Sequence, residues 1–285
     1  MNILNNWIFC VVLYIVLSTV FTQFYKISTK SLKNAGALTV VLEMIGVITA
    51  LVICPFFEIK FPTDIKTWSL LGLSIIFYAI SDRVNTTVRS GIEASTFSML
   101  KQLSTTFMIL AGLIFLKEEF ILHKFIGAML IIFSNVFIFY QKGKFKMNRY
   151  IWLGVLANIS YTIALFLDVN ISDYFNLPIY VALTLGIPGI LICLVERIKF
   201  SEIKEEFKNA NKKAIFVTGM TWSISIIVSL RAYQLQNVSI VAPIGSLTVL
   251  SNVIVGYLFL KERDDLLKKI MAAILIVISV VLIKI

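Results

Sequence analysis

Five charged side chains lie deep inside long apolar stretches of this sequence: Glu43, Asp82, Arg83, Lys101 and Arg231. On insertion scales each costs roughly 2.5–3.5 kcal/mol at the centre of a membrane helix, so each is expected to face a protein interior and find a partner there. The residue types define a chemistry. Lys101 and Arg231 offer positive charge to an anionic group such as a carboxylate, and Glu43 can carry a coupling proton or meet an amine. Adjacent Asp82 and Arg83 share a helical face poorly, so one of them is expected at a helix interface. The competing reading is structural: the five charges neutralise one another as ion pairs that hold helices in register. Tyr14, Gln102, Asn158, Tyr161, Trp222, Tyr233 and Asn252 lie in similar stretches, suited either to line a cavity or to pack between helices.

Other chemistries have little to build on. Cys10, Cys54 and Cys193 all lie in apolar segments, the lone histidine is His123, and no Cys-x-x-Cys pair occurs. A Cys/His metal site is therefore not expected, and neither is a cofactor. A polytopic membrane enzyme would need a His/Asp or Cys/His constellation near one interface, and His123 alone does not supply it; the chain is not expected to be an enzyme. The net charge is +10, but the basic residues form short clusters between apolar runs. That is the pattern of membrane-flanking loops, not of a nucleic-acid surface.

The elements that must position the five charges follow from the composition. The 285 residues are 59% hydrophobic and 15% charged, with a mean hydropathy of +0.91. No soluble core of this size hides so much apolar surface, so lipid is the solvent. Ten runs are long enough to cross a bilayer: 7–25, 36–57, 68–88, 94–116, 122–141, 150–168, 176–196, 213–235, 238–260 and 266–285. The expected fold is all-α, a polytopic membrane protein of ten transmembrane helices in one membrane domain. The charged stretch 197–212 reads equally as a short surface helix or a solvated loop.

The chain also repeats itself. Shifted by 144 positions without a gap, 95–140 matches 239–284 at Ser95/Ser239, Gly112/Gly256, Lys124/Lys268 and Ala128/Ala272, and through the whole Phe-Leu-Lys-Glu blocks 115–118 and 259–262. Apolar bias alone does not put a glycine and two lysines in common register. Two five-helix halves follow, 1–142 and 149–285, and an odd number of helices inserts the second upside down, as in many secondary transporters. The Lys-Glu blocks read as helix-end caps: Lys117 and Lys261 suit the negative pole of the helix they end, Glu118 and Glu262 the positive pole of the helix that follows. None of the five buried charges recurs in the other half; Glu43 aligns with Ile187 and Lys101 with Gly245. A scaffold feature should recur, whereas one substrate needs one asymmetric set of contacts.

The stretch 236–283, with Pro243 and Leu260–Glu262, resembles the C-terminal repeat of EamA-type transporters in the drug/metabolite transporter superfamily, and 93–120 resembles its counterpart in the first half. The resemblance implies a ten-helix bundle with a central cavity that moves small organic solutes by alternating access. The chain departs from the family pattern at Met99, which stands opposite Pro243, and at Glu43, in a neighbourhood where members often carry an arginine.

The expected function is a secondary transporter, an exporter of a small metabolite such as an amino acid, driven by protons or exchange. The alternatives are a phosphate or nucleotide-sugar antiporter, which Lys101 suits but Gly245 does not, and a polytopic membrane enzyme or lipid-handling scaffold. The expected partners are a small-molecule substrate and the lipid bilayer of the plasma (inner) membrane, with the chain a monomer or homodimer. Lys and Arg concentrate in the loops after the odd-numbered runs, which puts both termini outside the cytoplasm. The family resemblance implies the opposite orientation.

Overall fold

The computed structural model describes residues 5–107, 122–141, 144–145, 148–236, 241 and 244–284. The chain is all-α: α1 (Trp7–Ser28), α2 (Ala35–Ile53), α3 (Ile65–Gly91), α4 (Ala94–Lys101), α5 (Leu122–Phe139), α6 (Arg149–Ile171), α7 (Leu177–Glu196), α8 (Phe200–Asn209), α9 (Lys212–Leu235), α10 (Leu247–Val255) and α11 (Leu266–Lys284). A two-residue antiparallel ladder, Tyr140–Gln141 with Lys144–Phe145, follows α5. The first Phe-Leu-Lys-Glu block, with Lys117 and Glu118, and Pro243 lie outside the described residues.

Among the described residues six helices are long and apolar enough to cross a membrane: Trp7–Ser31, Ala35–Phe56, Arg149–Asp168, Leu177–Glu196, Lys212–Leu235 and Leu266–Ile283. Their outward faces carry exposed Val12, Val16, Ile48, Val52, Leu156, Leu194 and Ile278. A surface of this kind is stable only against hydrocarbon, so the chain is a multi-pass membrane protein. At 27 residues α3 is the longest helix described, but it carries Lys66, Asp82, Arg83 and Arg89.

Lipid offers no hydrogen bonds, so helix ends must be satisfied from within the protein. Six starts use one device. The side chains of Asn6, Asn34, Asp64, Asn148, Asn176 and Asn211 each accept a bond from a backbone N–H in the first turn of α1, α2, α3, α6, α7 and α9. Such caps each stabilise by about 1 kcal/mol. The stretch 197–212 resolves as the surface helix α8. Its Glu206 is buried and accepts from the backbone N–H of Lys33 (3.2 Å) and Asn34 (3.0 Å), doubling the cap on α2. On the exposed side, the 2.8 Å hydrogen bond from Lys33 holds the Glu205 carboxyl below its usual range.

The long helices pack in crossed pairs: α1 along α9, α3 along α6, α2 on α7 and α5 on α11. Gly219 of α9 lets α2 approach closely, since a Cβ there would lie 2.6 Å from the Ile45 Cβ and 2.8 Å from the Leu42 carbonyl oxygen. The second obstacle is backbone and cannot rotate away. Gly219→Ala is therefore expected to destabilise by about 1–3 kcal/mol, read as a lower Tm in one fixed detergent; an unchanged Tm would mean that α2 and α9 pack less closely than described.

Candidate functional site: a charged cavity inside the bundle

Between α1, α3, α4, α6, α7, α9 and α10 lies a cavity of two adjoining lobes, with volumes of about 110 and 120 Å³. The first lobe is walled by Tyr25, Tyr78, Asp82, Asp168 and Trp222. The second is rich in hydroxyl and amide groups, from Ser98, Gln102, Ser104, Thr105, Thr248 and Asn252. Tyr14, Phe21, Arg89, Lys101, Tyr161 and Tyr233 face both.

Each charge in this wall has a defined setting. Arg89 is 4% exposed, and its guanidinium carbon lies 3.7 Å from the Phe97 ring centroid, 4.5 Å from Tyr25 and 4.9 Å from Phe21. Its Nε and Nη1 are buried without a hydrogen-bond partner among the described residues. Lys101, the last residue of α4, holds its ammonium 4.6 Å from the Tyr161 ring centroid. Among the described residues no carboxylate lies within 4.0 Å of the Arg89 or Lys101 side-chain nitrogens, so neither pairs with Asp82. Asp168 differs: it is 2% exposed and accepts hydrogen bonds from the hydroxyls of Tyr78 and Tyr180, which tie α6 to α3 and α7. Cation–π contact stabilises Arg89 and Lys101 only partly, by about 0.5–2 kcal/mol each. Three charges thus stand in the cavity wall without an ion partner.

Of the residues singled out from the sequence, Tyr14, Asp82, Lys101, Gln102, Tyr161, Trp222, Tyr233 and Asn252 line this cavity. The others lie elsewhere. Arg83 leaves the face of Asp82, as the one-residue offset requires; its Nε pairs with Glu196 of α7 at 2.5 Å and its Nη1 donates to Thr87 at 2.7 Å. Arg231 sits near the far end of α9, donating to Asn5 (2.7 Å) and Gln234 (3.2 Å), in a separate pocket with Glu58 and Lys60. Asn158 donates to the carbonyls of Gly154 (2.7 Å) and Leu100 (3.2 Å), packing α6 against α4. Glu43 is 1% exposed and lies behind the cavity against α7, where a Cβ on Gly189 would come within 2.7 Å of it. Neither of its carboxylate oxygens has a hydrogen-bond partner among the described residues.

The five charges therefore do not form the mutual ion-pair set weighed above; Arg83 pairs instead with Glu196. The second cation beside Lys101 is Arg89, not Arg231. The sequence reading missed Arg89 and Asp168 for one reason. Both were placed at the ends of apolar runs, whereas α3 and α6 continue to Gly91 and Ile171 and bring the two side chains inside.

The second Phe-Leu-Lys-Glu block is structural, but its glutamate does not cap the helix that follows it. Glu262 folds back across the bundle and accepts from the backbone N–H of Ala94 (2.7 Å) and Ser95 (3.1 Å) and the Ser95 hydroxyl (2.5 Å). It caps α4, which lacks a side-chain cap of its own. Glu93 beside it pairs with the buried Lys269.

Fold and site together define a helical multi-pass membrane protein with a charged, two-lobed cavity between its helices. A solved structure, described only as the crystal structure of a protein, superposes with a TM-score of 0.59 at 12% identity, covering 96% of this chain and 94% of the other. At that identity the likeness shows the fold alone. The sequence matches no protein-family model and no curated protein.

Proposed function

We propose that the chain is a secondary transporter, an exporter of a small organic metabolite such as an amino acid, of the EamA type and working by alternating access. The observation that carries the reading is the set of Asp82, Arg89 and Lys101, three charges without ion partners among the described residues that share the wall of the first lobe. A packing role would have paired them, because an unpaired charge in such surroundings costs several kcal/mol. A solute bearing complementary charge compensates them when it binds. We assign the coupling proton to Glu43, whose two carboxylate oxygens are both buried and without a hydrogen-bond partner among the described residues.

The proposed architecture is ten spanning helices in two inverted halves. The packing supports it. A shift of 144 residues carries α1 onto α6, α2 onto α7, α3 onto α9 and α5 onto α11. The pair α1 with α9 then becomes α6 with α3, while α2 with α7 and α5 with α11 exchange places within their own pairs. A pseudo-twofold relation of this kind is what inverted repeats produce.

The test is a thermal-shift screen of the purified protein against a metabolite panel, followed by uptake of each hit into proteoliposomes. One chemical class should stabilise the protein by about 2.7 kcal/mol at a hundredfold excess over Kd, and its members should cross the membrane. If no metabolite stabilises the protein selectively, or the hits do not cross, the transport reading falls.

A further inference from the structure

We propose that the second lobe of the cavity is an oxyanion subsite, in which Arg89 and Lys101 together hold a carboxylate or phosphate group of the ligand; this rests on the transport reading for the ligand's role but not for its binding.

Charge is divided between the two lobes. Arg89 and Lys101 face both, whereas Asp82 and Asp168 face the first lobe only. The described lining of the second lobe contains no carboxylate, while Ser98, Ser104, Thr105, Thr248 and Asn252 supply hydroxyl and amide donors. Two like charges held beside one small, poorly solvated space repel each other, and an anion between them turns that repulsion into two attractions.

The setting of Arg89 narrows the ligand further. The Phe21, Tyr25 and Phe97 rings crowd the guanidinium at 4.9, 4.5 and 3.7 Å, and the buried Nε and Nη1 have no acceptor among the described residues. Rings stacked on a guanidinium leave its edge as the place for new bonds, and that edge matches the paired oxygens of a carboxylate or phosphate. Lys101 adds a point charge on a flexible stem, its ammonium resting 4.6 Å from the Tyr161 centroid. A neutral amide or alcohol adds no charge to offset the two cations beyond the attraction of Asp82 from the first lobe, so the anionic group is required for binding, not merely tolerated.

The test compares three ligands with one ring, benzoate, phenyl phosphate and benzamide, at constant ionic strength. Thermal shifts are read on wild-type protein and on Arg89→Lys, Arg89→Gln and Lys101→Met. Benzoate or phenyl phosphate should stabilise the wild type saturably and benzamide should not; whichever anion is stronger identifies the group. Arg89→Lys keeps the charge but loses the fork, and should weaken apparent affinity at least tenfold; Arg89→Gln should abolish the response. If removing Arg89 prevents folding, the acid-to-amide comparison on wild type and the Lys101→Met response still decide. Equal shifts from benzamide and the anions, no shift from any of them, or an unaltered response in every variant would overturn the proposal. Proteoliposome flux separates the two readings. Anion binding without any solute flux keeps the subsite and removes the transporter, whereas equal flux of an acid and its amide keeps the transporter and removes the subsite.

Discussion

Glu262→Ala is expected to lower stability by about 3–5 kcal/mol, among the largest effects of any single substitution in the chain. The carboxylate is 7% exposed and serves three donors at once, two backbone N–H groups and the Ser95 hydroxyl. Alanine leaves the first turn of α4 buried with no acceptor, and water does not reach it cheaply. Each orphaned donor costs about 1–3 kcal/mol, and the helix start loses a favourable negative charge as well. Glu262→Gln keeps one acceptor and the side-chain volume, so about half the loss is expected. The consequence reaches the cavity, because α4 is short: Lys101 lies seven residues from its first residue, Ala94, or about 10 Å along the axis. A frayed start lets that ammonium drift from the Tyr161 face. Thermal unfolding in one detergent checks the stability, and benzoate response checks the reach; a Glu262→Ala protein as stable as wild type would mean that α4 is capped some other way.

The same contact shows where reading the sequence stops. Hydropathy locates the six long apolar helices because lipid penalises any other backbone, and the Asn and Asp residues ahead of the runs mark where several begin. What hydropathy does not encode is rotation and the last turn. Asp82 and Arg83 are neighbours in sequence, yet one faces the cavity and the other an interhelical pair with Glu196. Arg231 lies within an apolar run but meets Asn5 and Gln234 near the end of α9. Arg89 stands one residue past the apolar run 68–88, yet it lies among three aromatic rings. The Phe-Leu-Lys-Glu block announced a cap by its charges, but its target, α4, is 168 residues away and no local pattern names it. Helix-end assignments read from neighbours in sequence fail when the partner comes from another part of the bundle.

Lys101→Met is expected to do the reverse of Glu262→Ala: to leave stability unchanged or raise it by about 1–2 kcal/mol, while reducing ligand affinity at least tenfold, about 1.4 kcal/mol. The two side chains differ in what they already hold. Glu262 is fully engaged, so its charge is repaid by the fold. Lys101 has a ring beneath it and no carboxylate within ion-pair distance among the described residues. It also shares its lobe with Arg89, a like charge. Methionine matches its length, removes the desolvated ammonium and relieves that repulsion, although it also gives up attraction to Asp82. Stability lost to an uncompensated charge is a mark of a site kept for a ligand, since packing alone would favour the methionine. Tm and the benzoate or metabolite response, measured on one preparation, decide the matter. A protein that is several kcal/mol less stable but still binds with wild-type affinity would place Lys101 among the structural residues. A protein that is equally or more stable and fails to bind places it in the site.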